Sequence, residues 1–107
     1  VVALEMMVLR VLSAEKSGKN SLDIAGLLKI RGSEIQQRYA ELMMLAAGPM
    51  SQPYLADALE SAGWQGDYAG AGVLAPLAGT YFNMRKTTIY GGSNEVQRNI
   101  VSQTVLG

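Results

Sequence analysis

Hydrophobic residues recur at three- and four-residue spacings in three long segments of the chain, at residues 1–17, 21–47 and 93–106. This spacing places apolar side chains on one face of an α-helix, so each segment is predicted to form an amphipathic helix. No segment shows the alternation typical of a strand, and the predicted fold class is all-α, an antiparallel helical bundle. The predicted packed positions are Leu4, Met7, Val8, Val11 and Leu12; Ile24, Leu28, Ile35, Tyr39, Leu42 and Leu45; and Val96, Ile100, Val101 and Val105.

Glycine and proline interrupt this pattern. Gly32 lies within the apolar stripe of the second helix, where a missing side chain favours close crossing by a neighbouring helix. Gly48 and Pro49 end that helix. Residues 49–80 are rich in Gly and Pro and predict a long loop with one short helical turn at 54–61, followed by a short helix at 80–86. A connection of this length is more often functional or packed against a partner than idle.

Charge and composition exclude several classes of protein. Nine Lys plus Arg balance nine Asp plus Glu, so we expect no nucleic-acid partner. The chain has no His and no Cys, which excludes a Ser-His-Asp relay, a Cys nucleophile and a thiolate zinc site, and we expect no metal. No apolar run approaches the roughly 20 residues that span a bilayer, so no membrane partner is expected. Glu5 interrupts the apolar opening, which argues against a signal peptide and favours a cytoplasmic location.

Two glycine-containing segments are candidates for ligand binding. Residues 70–75 match the pattern G-x-G-x-x-A of dinucleotide sites, but no strand precedes them and Pro76 interrupts the required helix, so we interpret them as a loop. Residues 90–95 read Tyr-Gly-Gly-Ser-Asn-Glu and lead directly into the last predicted helix, with Ser93 as its N-cap. A helix N-terminus presents free N–H groups, which suits a phosphate-bearing cofactor. An ordinary helix start is the alternative.

The stretch from Arg85 to Val101, followed by Val105-Leu106-Gly107, closely resembles the C-terminal signature of acyl-CoA dehydrogenases. These FAD-dependent enzymes form an α,β double bond in acyl thioesters. The resemblance implies that residues 1–107 are the C-terminal helical bundle domain of a longer polypeptide, without the family's N-terminal helical and middle β-domains. It further implies FAD as cofactor, an acyl-CoA substrate in the full-length protein, a homo-oligomer (dimer or tetramer), a role in lipid metabolism, and no turnover by this chain alone.

The resemblance also implies roles for individual residues of the turn. Family members often carry the catalytic Glu directly after the tyrosine of this signature. Here that position is Gly91, whose backbone N–H is expected to hydrogen-bond the thioester carbonyl but which cannot act as a base. The catalytic Glu is therefore expected outside this chain, or absent. Gly92 and Ser93 match FAD-contacting positions, and Glu95 matches a residue near the adenosine portion of the cofactor.

A second family motif, Gln-x-x-Gly-Gly, contacts FAD across a subunit interface and corresponds to residues 44–48. Met44 and Ala47 replace the glutamine and the first glycine, so Gly48 alone is expected to contact the cofactor. These departures, together with Gly91, leave a second hypothesis open, in which a dehydrogenase-like bundle serves as a noncatalytic assembly subunit. A flavin-dependent oxidase or monooxygenase on the same scaffold is a third.

Overall fold

The computed structural model describes residues 2–17, 22–61, 64 and 66–107. These residues form α-helices and short 3₁₀ helices and contain no strand, which confirms the predicted all-α class. The predicted first residues of the first two helices, Val1 and Ser21, lie outside the described ranges. The α-helices are α1 (Val2–Lys16), α2 (Leu22–Ala47), α3 (Ala56–Glu60), α4 (Ala71–Leu74), α5 (Pro76–Met84) and α6 (Asn94–Leu106), and the 3₁₀ helices are Gly48–Ser51 and Arg85–Thr88.

The segment predicted as a long loop at 49–80 is more helical than expected. The short turn at 54–61 is confirmed as α3, but α4 and the first half of α5 also lie in this segment, so the loop prediction is wrong there. Gly70 adopts a left-handed φ of 78° directly before α4, and Pro76 occupies the first turn of α5. A proline at that position costs no hydrogen bond because its missing N–H would have had no partner inside the helix. Glycine and proline therefore mark the starts of short helices here instead of preventing helix formation.

The chain divides into two compact units, with the boundary inside α2. Unit 1 comprises the chain up to Ile35 together with Thr88–Gly107, and unit 2 comprises Gln36–Thr87. In unit 1, α2 and α6 run antiparallel, because Gly26 lies against Val101 near the end of α6 whereas Ser33 hydrogen-bonds Asn94 at its start.

The glycine that permits this close approach is Gly26. A Cβ atom at Gly26 would lie 2.9 Å from Cγ2 of Val101, whereas a Cβ at Gly32 would meet no described atom within 4 Å. The prediction that Gly32 marks a close helix crossing is therefore wrong. Gly26 lies three residues before Lys29 and seven before Ser33, a spacing that puts all three on the face of α2 that meets α6.

The face of α6 that meets α2 is also different from the predicted one. Val96 and Val105 are 49% and 60% exposed, so the prediction that they form the packed side is wrong. Asn94, Gln97 and Val101 pack against α2 and follow the three- and four-residue spacing of one helix face. Beside them, the exposed Arg98 forms an ion pair with Glu34 of α2 at 3.2 Å. Of the predicted packed residues on α6, Val101 alone is at this contact. Asn94 and Gln97 carry amide side chains, and apolar periodicity does not indicate that polar residues of this kind pack against another helix.

Unit 2 is built around α5, which contacts α3, α4 and the 3₁₀ helix Gly48–Ser51. Leu59 of α3 packs over Gly79 of α5, where a Cβ would lie 2.5 Å from its Cδ1. Ser51 is fully buried, and its hydroxyl lies 2.8 Å from the carbonyl oxygen of Gly48. All buried apolar residues described in this unit are alanines, namely Ala40, Ala71, Ala75 and Ala78.

Candidate cofactor-binding site

Two consecutive glycines form the turn that leads into α6. Gly91 has a φ of 67° and Gly92 a φ of 83°, both in the left-handed region that other residues enter only with strain. A Cβ at Gly91 would meet no described atom within 4 Å, and Gly91 is exposed. The backbone of this turn is therefore open to a ligand on the side that a residue-91 side chain would occupy.

Ser93 caps the N-terminus of α6, as the sequence predicts. Its Oγ accepts a hydrogen bond from the backbone N–H of Val96 at 3.3 Å, and its carbonyl oxygen accepts one from the N–H of Gln97 at 2.9 Å. The first of these bonds satisfies one of the N–H groups that have no partner within the helix. Ser93 is half-buried, and its hydroxyl lies next to the open glycine turn.

The carboxylate of Glu95 is exposed at the same helix start. Its pKa is lowered, chiefly by a hydrogen bond from its own backbone N–H, then by one from the Ser93 hydroxyl, and further by the charges of Arg98 and Lys29. The environment of this turn thus stabilises negative charge, as expected for a helix N-terminus.

Asn94 anchors the start of α6 to α2. Its side chain is 4% exposed; its Oδ1 accepts from the Lys29 ammonium at 2.7 Å, and its Nδ2 donates to Oγ of Ser33 at 3.1 Å. Ser33 in turn donates to the carbonyl of Ile30 at 2.9 Å. On a helical projection Lys29 falls opposite the apolar stripe of α2, which predicts a solvated face or a subunit contact, and the sequence pattern indicates no role for Asn94. The signal available for finding this network was the spacing of Gly26, Lys29 and Ser33 along α2.

The amide of Gln97 lies directly against the glycine turn. Its Nε2 donates to the carbonyl oxygen of Gly91 at 3.2 Å. Sequence reasoning missed this residue, because a glutamine four positions after an N-cap resembles any polar residue on a helix surface.

Gly48, the remaining predicted cofactor contact, belongs to unit 2. It has a φ of 70° and follows the end of α2. It lines an open surface cavity of about 340 Å³ with Met44, Glu41 and Tyr81 among its other walls. The carboxylate of Glu41 is paired with Arg38 at 2.6 Å. Gly91, Gly92, Ser93 and Glu95 thus form one continuous turn, and Gly48 forms part of a separate feature in the other unit.

The donor set of the turn fits the polar part of a nucleotide cofactor such as FAD. Open backbone at Gly91 and a hydroxyl at Ser93 offer donors for phosphate oxygens, and the Glu95 carboxylate offers an acceptor for sugar hydroxyls. Within the described part of the chain, no group of three or more side chains is arranged to hold a metal ion. None of the helices in that part is both long and apolar enough to cross a membrane.

Comparison with known proteins gives one finding. The family described as acyl-CoA dehydrogenase, C-terminal domain, matches residues 1–106, a range that contains every candidate site residue named above. No curated protein and no solved structure matches the chain.

Proposed function

Because the chain belongs to the acyl-CoA dehydrogenase family through its C-terminal domain, we propose that it contributes FAD contacts and a subunit interface to an enzyme that dehydrogenates acyl-CoA thioesters. Residues 1–107 form the helical domain of that enzyme, which is a cytoplasmic homo-oligomer acting in lipid metabolism. The observation that carries the proposal is the turn at residues 91–93, where two left-handed glycines, the first with open space at its Cβ position, precede a helix-capping serine.

When bound, FAD would supply the hydride acceptor for the β-carbon of the substrate, and a carboxylate base would remove the α-proton. Gly91 has no side chain and cannot be that base, so the base lies on another part of the enzyme. The N–H of Gly91 donates to the thioester carbonyl oxygen, on which negative charge develops as the α-proton leaves. A fixed donor at such an oxygen stabilises the transition state more than the ground state.

The residues that follow hold the cofactor. The N–H of Gly92 and the hydroxyl of Ser93 would hold polar oxygens of FAD, and the Glu95 carboxylate would accept a hydrogen bond from its adenosine portion. The lowered pKa of Glu95 supports this role, since the carboxylate stays ionised and able to accept. Gly48 supplies a further backbone contact, made to the FAD of a neighbouring subunit.

Exposed apolar side chains support the proposed subunit interface. In α1, Met6, Leu9 and Leu12 are all more than half exposed, and no described residue of that helix is buried. In α6, Leu106 is 81% exposed. Met6, Leu9 and Leu12 recur at a three-residue spacing along α1, and exposed apolar side chains grouped in this way are typical of contact surfaces between proteins.

A noncatalytic assembly subunit is the second candidate. Two observations favour it: Gly91 occupies the position of a catalytic Glu, and Met44 occupies that of the glutamine in the family's inter-subunit motif. In this case the bundle retains the family fold and the subunit interface but binds no flavin.

The experiment that separates these functions uses the natural polypeptide carrying this chain, purified and titrated with FAD. Under the proposed function the protein binds FAD, and an acyl-CoA bleaches the flavin absorbance without oxygen. Failure to bind FAD refutes the proposal and favours the assembly subunit. Rapid formation of peroxide on reoxidation in air identifies an oxidase instead.

Replacing Ser93 tests the turn itself. Ser93→Gly removes the hydroxyl yet keeps a residue accepted at N-caps, with a stability cost of only a few tenths of a kcal/mol. We expect the affinity for FAD to fall about tenfold or more, as for the loss of a hydrogen bond to a charged group. Ser102→Gly, at an exposed site on the same helix, is the matched control. Equal FAD affinity in the two variants contradicts a cofactor contact at Ser93.

A further inference from the structure

The side-chain amide of Gln97 is enclosed by glycines on two sides. A Cβ at Gly92 would lie 2.6 Å from its Nε2, and a Cβ at Gly26 would lie 3.1 Å from its Oε1. A Cβ at Gly92 would be closer than real Cβ contacts, so the amide would have to shift. A Cβ at Gly26 would be tighter than most real contacts, so the amide would have to move by a few tenths of an ångström. Gly26 and Gly92 therefore leave room for one amide between α2 and the turn that precedes α6.

The amide uses that room to hold one peptide group. Its Nε2 donates to the carbonyl oxygen of Gly91 at 3.2 Å, while the backbone N–H of Gln97 is bonded to Ser93. Side chains in a helix lean toward its N-terminus, so the side chain of Gln97 reaches back over the preceding turn. The side chain and the main chain of Gln97 thus both fasten residues 91–93 to the first turn of α6.

The planarity of the peptide bond converts this contact into control of a donor. The carbonyl of Gly91 and the N–H of Gly92 belong to the same trans peptide and point in opposite directions. Holding the carbonyl against Gln97 turns the N–H of Gly92 away from Gln97, and within the described residues this N–H has no hydrogen-bond partner. Two adjacent glycines have wide backbone freedom, so without the hydrogen bond from Gln97 this peptide group would rotate easily.

We propose that Gln97 is a positioning residue, which orients the Gly91–Gly92 peptide so that the Gly92 N–H is presented to an acceptor oxygen of the cofactor. The inference rests on the proposed FAD function and adds to it the side chain, Gln97, that fixes the orientation of the Gly92 N–H. Preorganisation of this kind raises affinity because the turn is ordered before the ligand arrives.

The test compares Gln97→Met with Gln103→Met. Methionine is close to glutamine in length but cannot donate, and Gln103 is an exposed glutamine on the same helix. In glycine-labelled protein, we expect the Gln97 variant to lower the order parameters of the Gly91 and Gly92 amides from about 0.85 toward 0.6. We also expect it to weaken FAD binding about tenfold, with unchanged helical ellipticity. The Gln103 variant should change neither quantity. If Gln97→Met fails to fold, Gln97→Glu, which keeps the length and exchanges the donor for an acceptor, takes its place.

Each outcome of this comparison either supports or overturns the proposed role of Gln97. Reduced order at both glycines with weaker FAD binding supports the proposal. If the order parameters of these glycines are unchanged in Gln97→Met, Gln97 does not hold the peptide group. If they fall but the FAD affinity equals that of Gln103→Met, holding the peptide group has no role in FAD binding. If the unaltered protein binds no FAD, the proposed function fails, and the glycine order parameters still decide whether Gln97 holds the peptide.

Discussion

Replacement of Asn94 by alanine tests whether the start of α6 is held by polar contacts with α2. The substitution removes the acceptor of the Lys29 ammonium and the donor to Ser33. A hydrogen bond to a charged group contributes about 1.5–3 kcal/mol and a neutral one about 0.5–1.5 kcal/mol. Ser33 keeps its bond to Ile30, and Lys29 is half-buried and regains water, so the lower end of both ranges applies.

Alanine also improves helix propensity by up to about 0.7 kcal/mol, which offsets part of the loss. The net effect expected for Asn94→Ala is a destabilisation of about 1.3–2 kcal/mol. With a urea dependence of about 1–3 kcal/mol per molar, the midpoint of unfolding should fall by roughly 1 M. Helical ellipticity during urea titration measures it. Asn99→Ala, at an exposed position on α6, should not destabilise the protein and should gain at most about 0.7 kcal/mol from helix propensity.

A double-mutant cycle with Lys29→Met isolates the contact itself. If the ammonium and the Asn94 carbonyl stabilise each other as the 2.7 Å distance indicates, the two substitutions together should cost less than the sum of their separate effects, by about 1 kcal/mol. Strictly additive effects, or equal midpoints for Asn94→Ala and Asn99→Ala, would refute the reasoning that this network anchors α6.

Two further predictions concern packing and charge. Gly26→Val should lower the free energy of unfolding by about 1–3 kcal/mol, because the added side chain overpacks the contact with α6. Gly32→Ala should raise it by about 0.5–1 kcal/mol, because its Cβ has room and alanine favours the helix. Equal effects of the two substitutions in urea titrations would contradict this packing. Because the pKa of Glu95 is lowered on folding, its carboxylate adds stability above its usual pKa that disappears as the pH falls through the lowered value. Glu95→Gln should therefore lower Tm at neutral pH and leave it unchanged in strong acid, and a pH-independent difference would contradict this origin.

Periodicity predicted the long helices and the capping serine because both depend on local signals. The bounds of α1, α2 and α6 follow the apolar spacing closely, and Ser93 caps α6 as expected. The helices α4 and α5 were not fully predicted, since Gly70 and Pro76 read as loop residues although each starts a helix where it stands. Local propensity does not reveal that α5 contacts α3, α4 and the preceding 3₁₀ helix Gly48–Ser51, and that these contacts support such short segments.

The direction in which each helix packs was harder to predict. On α6 the apolar residues Val96 and Val105 are exposed, while Asn94 and Gln97 meet α2. In a chain whose apolar surface is only partly covered, the more hydrophobic face of a helix need not be the one that packs within the unit. Polar contacts and a small residue such as Gly26 mark the packed face instead, and a hydrophobicity pattern contains neither.

The alanine core of unit 2 has a consequence for how this protein tolerates mutation. Most damage to protein interiors comes from deleting large side chains and leaving voids. At Ala40, Ala71, Ala75 and Ala78 there is only a methyl group to lose. Most single-nucleotide changes that replace an alanine instead add bulk or charge. Crowding should therefore make most substitutions at these four positions destabilising, and glycine and serine should be the tolerated exceptions.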